Sequence, residues 1–171
     1  MLSHTFIWLV ERPLQDRVFF CWRKKMKLEK VFEVKDRALY KIGGDAVNTD
    51  GMAKSVAWSQ VEPEAEAYDE AFLAALREEL KALEDAGKFV YIDALFDKEG
   101  DAASFTAAMK HCARRIKDCV SVAGFSIPQA LAKDGFAEGS PAADYIAELS
   151  QKHGQYVFFC KDAPEGLVNL Q

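Results

Sequence analysis

Trp58, Gln60, Glu62, Asp93, Asp97 and Ser126 all sit at, or just beyond, the end of an apolar run. An indole beside carboxylates is the chemistry of a sugar site. The ring stacks on the apolar C–H face of the sugar, while carboxylates and hydroxyls bind its hydroxyl groups. Lys161 and Asp162 close a further apolar run in the same way. Asp45 belongs to a separate candidate, the loop Gly43-Gly44-Asp45-Ala46-Val47-Asn48-Thr49-Asp50-Gly51. Its residues tolerate positive φ, and it reads either as a plain turn or as a loop facing a ligand. The strand-end residues also have a structural reading. Trp58 can cap a core, and Asp93 and Asp97 can bond the loop and helix start that follow them.

These residues are positioned by alternating strands and helices. A short strand, Ser55 to Trp58, leads through a loop marked by Pro63 into a helix from Asp69 to Ala86. Leu73, Leu76, Leu80 and Leu83 form one stripe of that helix, with Asp69 at its start and Gly87 just past its end. Phe89-Val90-Tyr91-Ile92, inside a strand Lys88–Leu95, is the continuous apolar run of a buried parallel strand. Strand, helix and strand make a βαβ unit with a right-handed crossover.

A second helix is expected from Ala102 to Asp118, burying Phe105, Met109, Cys112 and Ile116 and exposing Lys110, His111, Arg114, Arg115 and Lys117. Val120–Ile127 is the next strand, stopped by Pro128 and followed by a short helical piece, Gln129–Lys133. Ser140-Pro141 starts a third long helix, running to Lys152 and burying Tyr145, Ile146 and Leu149. His153 reads as a cation capping its end, Gln155–Cys160 as a last strand, and Ala163–Gln171 as a loose tail. Before all of these, Lys30–Val34 and Ala38–Ile42 form a hairpin. The fold class is therefore α/β: βα units on a mainly parallel, partly barrel-like sheet, preceded by a β-hairpin.

Residues 52–97 resemble the cellulase-like glycoside hydrolases built on a (β/α)8 barrel. The resemblance lies in a strand ending in Trp58, the V-x-P turn Val61-Glu62-Pro63, the Tyr68-Asp69 helix start, and the G-x-x-V-x-I-D pattern from Gly87 to Asp93. It implies a saccharide bound at the carboxyl ends of the strands. The catalytic pattern of that family departs here. Its acid/base is the Glu of an Asn-Glu-Pro triplet, and the matching triplet is Ser126-Ile127-Pro128, with Ile127 in place of the acid. The His that often ends the third strand is replaced by Leu95 or Phe96. A full barrel takes about 250 residues, and these 171 do not reach the seventh strand that carries the nucleophile. The resemblance thus implies a binding protein related to the barrel, with no catalytic residue assigned.

Composition sets the remaining bounds. Hydrophobic residues make up 50% and charged residues 29%, as in an ordinary soluble globule, and a net charge of −5 argues against a nucleic-acid partner. Cys21, Cys112, Cys119 and Cys160 form no C-x-x-C pair, which points to free thiols in the reducing cytoplasm. No run is long enough to span a membrane. No Gly-rich phosphate loop and no G-x-S-x-G elbow occurs, and no metal or cofactor site is expected. Residues 1–25 are aromatic and end in Arg23-Lys24-Lys25, so they read as an appended arm before a single domain over 26–171 or, alternatively, as two strands that widen the sheet. The reading from another class is a structural module that self-associates as a homodimer, because an unclosed sheet leaves edges to cover.

Overall fold

Five strands pair in chain order in a computed structural model of the protein, which describes residues 29–170. The arm expected over 1–25 lies outside those residues. A hairpin comes first, β1 (Phe32–Lys35) and β2 (Ala38–Lys41), followed by β3 (Ala53–Ala57). The turn α1 (Trp58–Val61) and the helix α2 (Glu70–Asp85) lead to β4 (Val90–Leu95). Then come α3 (Ala102–Arg115), β5 (Val122–Ser126), α4 (Gln129–Ala132), α5 (Pro141–Ser150), β6 (Val157–Lys161) and β7 (Val168–Leu170). The order β3-β4-β5-β6-β7 is parallel throughout, and the hairpin forms its own two-stranded antiparallel sheet. Among the described residues the sheet does not close into a barrel, and β3 and β7 are its edges.

Sequential parallel strands joined by crossovers of one hand must carry all their helices on one face. That face holds the larger core. Val56, Ile92, Ala94, Phe125 and Phe158 meet Leu73, Leu76 and Leu80 of α2, Phe105 and Met109 of α3, and Tyr145 and Leu149 of α5. Tyr91, Ala123, Val157, Phe159 and Val168 point to the opposite face, where Phe32 and Leu39 of the hairpin cover them. The hairpin turn docks on the edge of the sheet: the Asn169 amide donates to the Arg37 carbonyl at 2.8 Å. A two-residue turn of this hand needs positive φ twice, and Asp36 (49°) and Arg37 (60°) supply it without glycine.

Local signals acted where the periodicity placed them. Asp69 accepts from the Phe72 amide at 2.8 Å, Ser140 from the Ala143 amide at 3.3 Å, and Gly87 turns the chain out of α2 at φ 67°. Four expectations are corrected. The tail is not loose, because residues 168–170 add β7 to the sheet, with Val168 opposite Phe159 and Leu170 opposite Lys161. A parallel return usually takes a dozen residues; here only the end of β6 is paired, so the path back is short. Ile146 is half-buried and packs at the rim of the core, while Ala142 joins Tyr145 and Leu149 inside it. His111 is buried rather than exposed: it stacks on Tyr68 at 3.9 Å, while its Nε2 meets Glu70 at 2.8 Å and its Nδ1 meets Arg114 at 3.0 Å.

The fourth correction is His153, which is 4% exposed, with its Nε2 unpartnered among the described residues. Burial lowers its pKa below the ordinary 6.5, and the nearby Lys117, Arg114, Lys152 and Lys110 lower it further. It is therefore a neutral core residue and not a capping cation. A base with a depressed pKa is neutral in the fold, while the unfolded chain takes up a proton below about 6.5. Stability is thus lost as pH falls from 6.5 toward the folded value. The slope from this one group approaches about 1.4 kcal/mol per pH unit. Denaturant melts at pH 7.5 and 5.5 check this: His153→Leu should lose less stability between the two than the wild type does. Equal losses would contradict it.

Candidate functional site

Asp93 and Ser126 meet at the carboxyl end of the sheet, on the face away from the helices. Strand side chains alternate, so Tyr91 and Asp93 share a face, and Asp93 lies past the cover of the hairpin. The Ser126 hydroxyl donates to Asp93 Oδ1 at 3.0 Å and accepts from the Ala94 amide at 2.9 Å. The Ala94 amide thereby fixes the hydroxyl oxygen, and the hydroxyl hydrogen holds the carboxylate in place. The pair borders a cleft of about 430 Å³, whose other polar residues are Gln129 and Lys161 and whose apolar walls include Leu95 and Leu170. Leu95 is 40% exposed there.

Trp58 is elsewhere. It starts α1 instead of ending β3, and it is 2% exposed. Its ring packs on Phe96 (5.1 Å) and Phe105 (5.7 Å), with the Lys98 ammonium 4.5 Å from its centroid. No ring face is left for a sugar, so it fills the core-capping role. Glu62 is 6% exposed and accepts from Trp58 Nε1 at 2.6 Å, from the Glu66 amide at 2.8 Å and from Lys98 at 3.2 Å. Burial by itself would raise its pKa. The Glu66 amide, the Trp58 indole and Lys98 outweigh that and hold the carboxyl below its ordinary value.

Gln60 folds back on the Ala57 amide at 3.0 Å, an acceptor for the start of α1. Asp97 accepts from the Ser59 amide at 3.0 Å and from the Ser59 hydroxyl. Burial pushes the Asp97 pKa up, and the two Ser59 bonds bring it net below the ordinary value. Asp45 is exposed in the link after β2, where its carbonyl accepts from the Lys41 amide at 3.2 Å, and it does not line the cleft. Of the strand-end candidates, then, the fold brings Asp93 and Ser126 together with Lys161. Gln129 was missed; a polar residue directly after the strand-stopping Pro128 was the available signal.

Ile127 is buried on the helix side of the sheet, and its amide donates to the Phe159 carbonyl at 2.7 Å. It also borders the cleft, to which it brings an apolar side chain and no acid. A larger groove of about 860 Å³ runs over α3 and α5, lined by residues such as Ala103, Thr106 and Ala147. Two of its charged residues, Lys110 and Glu148, already pair with each other across it. The strand-end cleft instead presents Asp93 and Lys161, which make no ion pair among the described residues. Among the described residues, no three His, Cys, Asp or Glu side chains gather as a metal would need, and no helix is long and apolar enough to cross a membrane. Cys112, Cys119 and Cys160 are free and buried, and burial pushes the Cys112 thiol up to about 12 and Cys119 up to about 11. No protein-family model matches the chain, and no curated protein matches its sequence.

Proposed function

We propose that this protein is a saccharide-binding relative of the glycoside-hydrolase barrel, which holds its ligand in the strand-end cleft. The observation that carries this reading is the Asp93–Ser126 pair, a carboxylate fixed at the mouth of a parallel sheet with Oδ2 left to accept from a ligand. Parallel sheets bind small molecules at this end. The sequential strand order with all helices on one face supports the resemblance, since a (β/α) barrel is wound in that way. In the binding mode proposed, Asp93 accepts sugar hydroxyls, Gln129 offers both a donor and an acceptor, and Leu95 and Leu170 take the apolar ring face.

Asp93→Asn should weaken sugar binding about 10- to 100-fold, the loss expected for a hydrogen bond to a charged group of about 1.5–3 kcal/mol. Titration of the protein with mono- and disaccharides, followed by amide NMR shifts, checks it. An Asp93→Asn variant that binds as tightly as the wild type would remove the site from this cleft.

One observation favours a self-associating module instead. Among the described residues β3 pairs on one side only, and Ala53 and Ser55 on that strand are exposed. An open edge is a template for another strand. Light scattering at micromolar concentration decides it: a strict monomer excludes the self-associating reading.

A further inference from the structure

We infer that the ligand of the strand-end cleft is an acidic sugar, whose carboxylate or phosphate group is held by Lys161. The inference rests on the saccharide reading of the cleft and specifies its substrate class.

Lys161 is the last residue of β6 and follows Val157 and Phe159 on the face away from the helices. It lines the same cleft as Asp93 and Ser126. Among the described residues it makes no ion pair, and neither does Asp93. The two opposite charges therefore share one cleft without neutralising each other. Strand geometry explains the gap. Ser126 lies opposite Phe159, so Lys161 is two residues farther toward the carboxyl end and two strands away from Asp93. With about 3.3 Å per residue and about 4.8 Å between strands, their Cα atoms are about 12 Å apart. Once both side chains reach inward, that leaves room for one sugar ring and its exocyclic group.

The charges also orient the occupant. A neutral sugar filling the cleft would strip water from Lys161 and return nothing to its charge. A sugar with an anionic group at one end restores the lost hydration through a charge-assisted bond. Repulsion from the Asp93 carboxylate keeps that group at the Lys161 end, so the hydroxyls face Asp93. With Trp58 buried, stacking does not select the ligand; Leu95 and Leu170 offer only apolar contact. Selection falls to the two charges.

Calorimetric titration with glucuronate, glucose 6-phosphate, glucose and methyl glucoside tests this on the full chain. The acidic sugars should bind at least about tenfold tighter than the neutral ones, and added salt should shrink the difference. Glucuronate as the tighter of the two acids assigns a carboxylate, and glucose 6-phosphate assigns a phosphate. Lys161→Gln should abolish the preference, and Lys161→Arg should keep it. Neutral sugars binding as tightly as acidic ones, or a preference that survives Lys161→Gln, would overturn the inference and leave the saccharide reading standing. If none of the four sugars binds, both fall together.

Discussion

Gly124→Ala should cost at least about 3 kcal/mol, the upper range for overpacking a site that cannot relax. A Cβ at this position would lie 1.7 Å from the carbonyl oxygen of Val157 and 2.7 Å from its carbonyl carbon. These are main-chain atoms of the neighbouring strand, so no side chain can rotate to make room. The register explains the closeness. Val90 pairs with Val122 but Tyr91 pairs with Gly124, so one extra residue is taken up in β5 and the strand is rotated locally. Gly124 in turn lies opposite Val157. Accommodating a methyl group means separating β5 from β6, which would also move Ser126 away from its place beside Asp93. Gly154→Ala is the control, because nothing lies within 4 Å of its added Cβ; it should change stability by about 0.5 kcal/mol or less. Denaturant melts followed by circular dichroism compare the two. Similar midpoints and slopes would refute the steric account.

Trp58→Ala should cost about 3–5 kcal/mol, the range for removing a buried indole from a core. The loss has two sources. The cavity left between Phe96 and Phe105 removes packing on both rings, and the buried Glu62 carboxylate loses the indole donor at 2.6 Å. The second source has a pH signature. The depressed pKa of Glu62 contributes stability above its ordinary value of 4.5 that is lost as pH falls through the lower folded value. Trp58→Phe, which keeps most of the ring but not the N–H, should therefore lose part of that acid-range dependence. Asp93→Asn in the same melts should stay within about 1 kcal/mol, since Asn still accepts from Ser126. The comparison separates a structural aromatic from a ligand-facing carboxylate. A Trp58→Ala protein as stable as the wild type would mean that the indole is not part of the core.

The strand-end candidates divided along a line that residue types do not reveal. Trp58, Glu62 and Asp93 have equal claims on a sugar in the sequence, yet two of them face each other inside the protein and only the third reaches the cleft. Trp58 lies two residues after Val56, on the helix side of the sheet where both belong to one core, whereas Asp93 follows Tyr91 on the opposite face. The two histidines show the same limit. Helical phase makes His111 solvent-facing and helix position makes His153 a capping cation, yet both are buried: His111 against Tyr68 and Glu70, from a distant segment, and His153 beside Tyr156 just past the end of α5.

What the sequence by itself determined was everything that depends on neighbours a few residues apart. The leucine stripe of α2, the caps at Asp69 and Ser140, the exit at Gly87 and the alternation of strand and helix arise from spacing and from backbone preferences that act locally. Tertiary structure alone decided which face of the sheet the hairpin covers, that residues 168–170 become a strand, and that Asp93, Ser126 and Lys161 border one cleft. β7 illustrates the reason. Three residues carry too little periodicity to declare a strand, and they become one because Phe159, Lys161 and Arg37 offer unpaired main-chain groups at the edge. Burial and pairing are properties of partners brought from far along the chain, so a residue's own type and immediate neighbours leave them open.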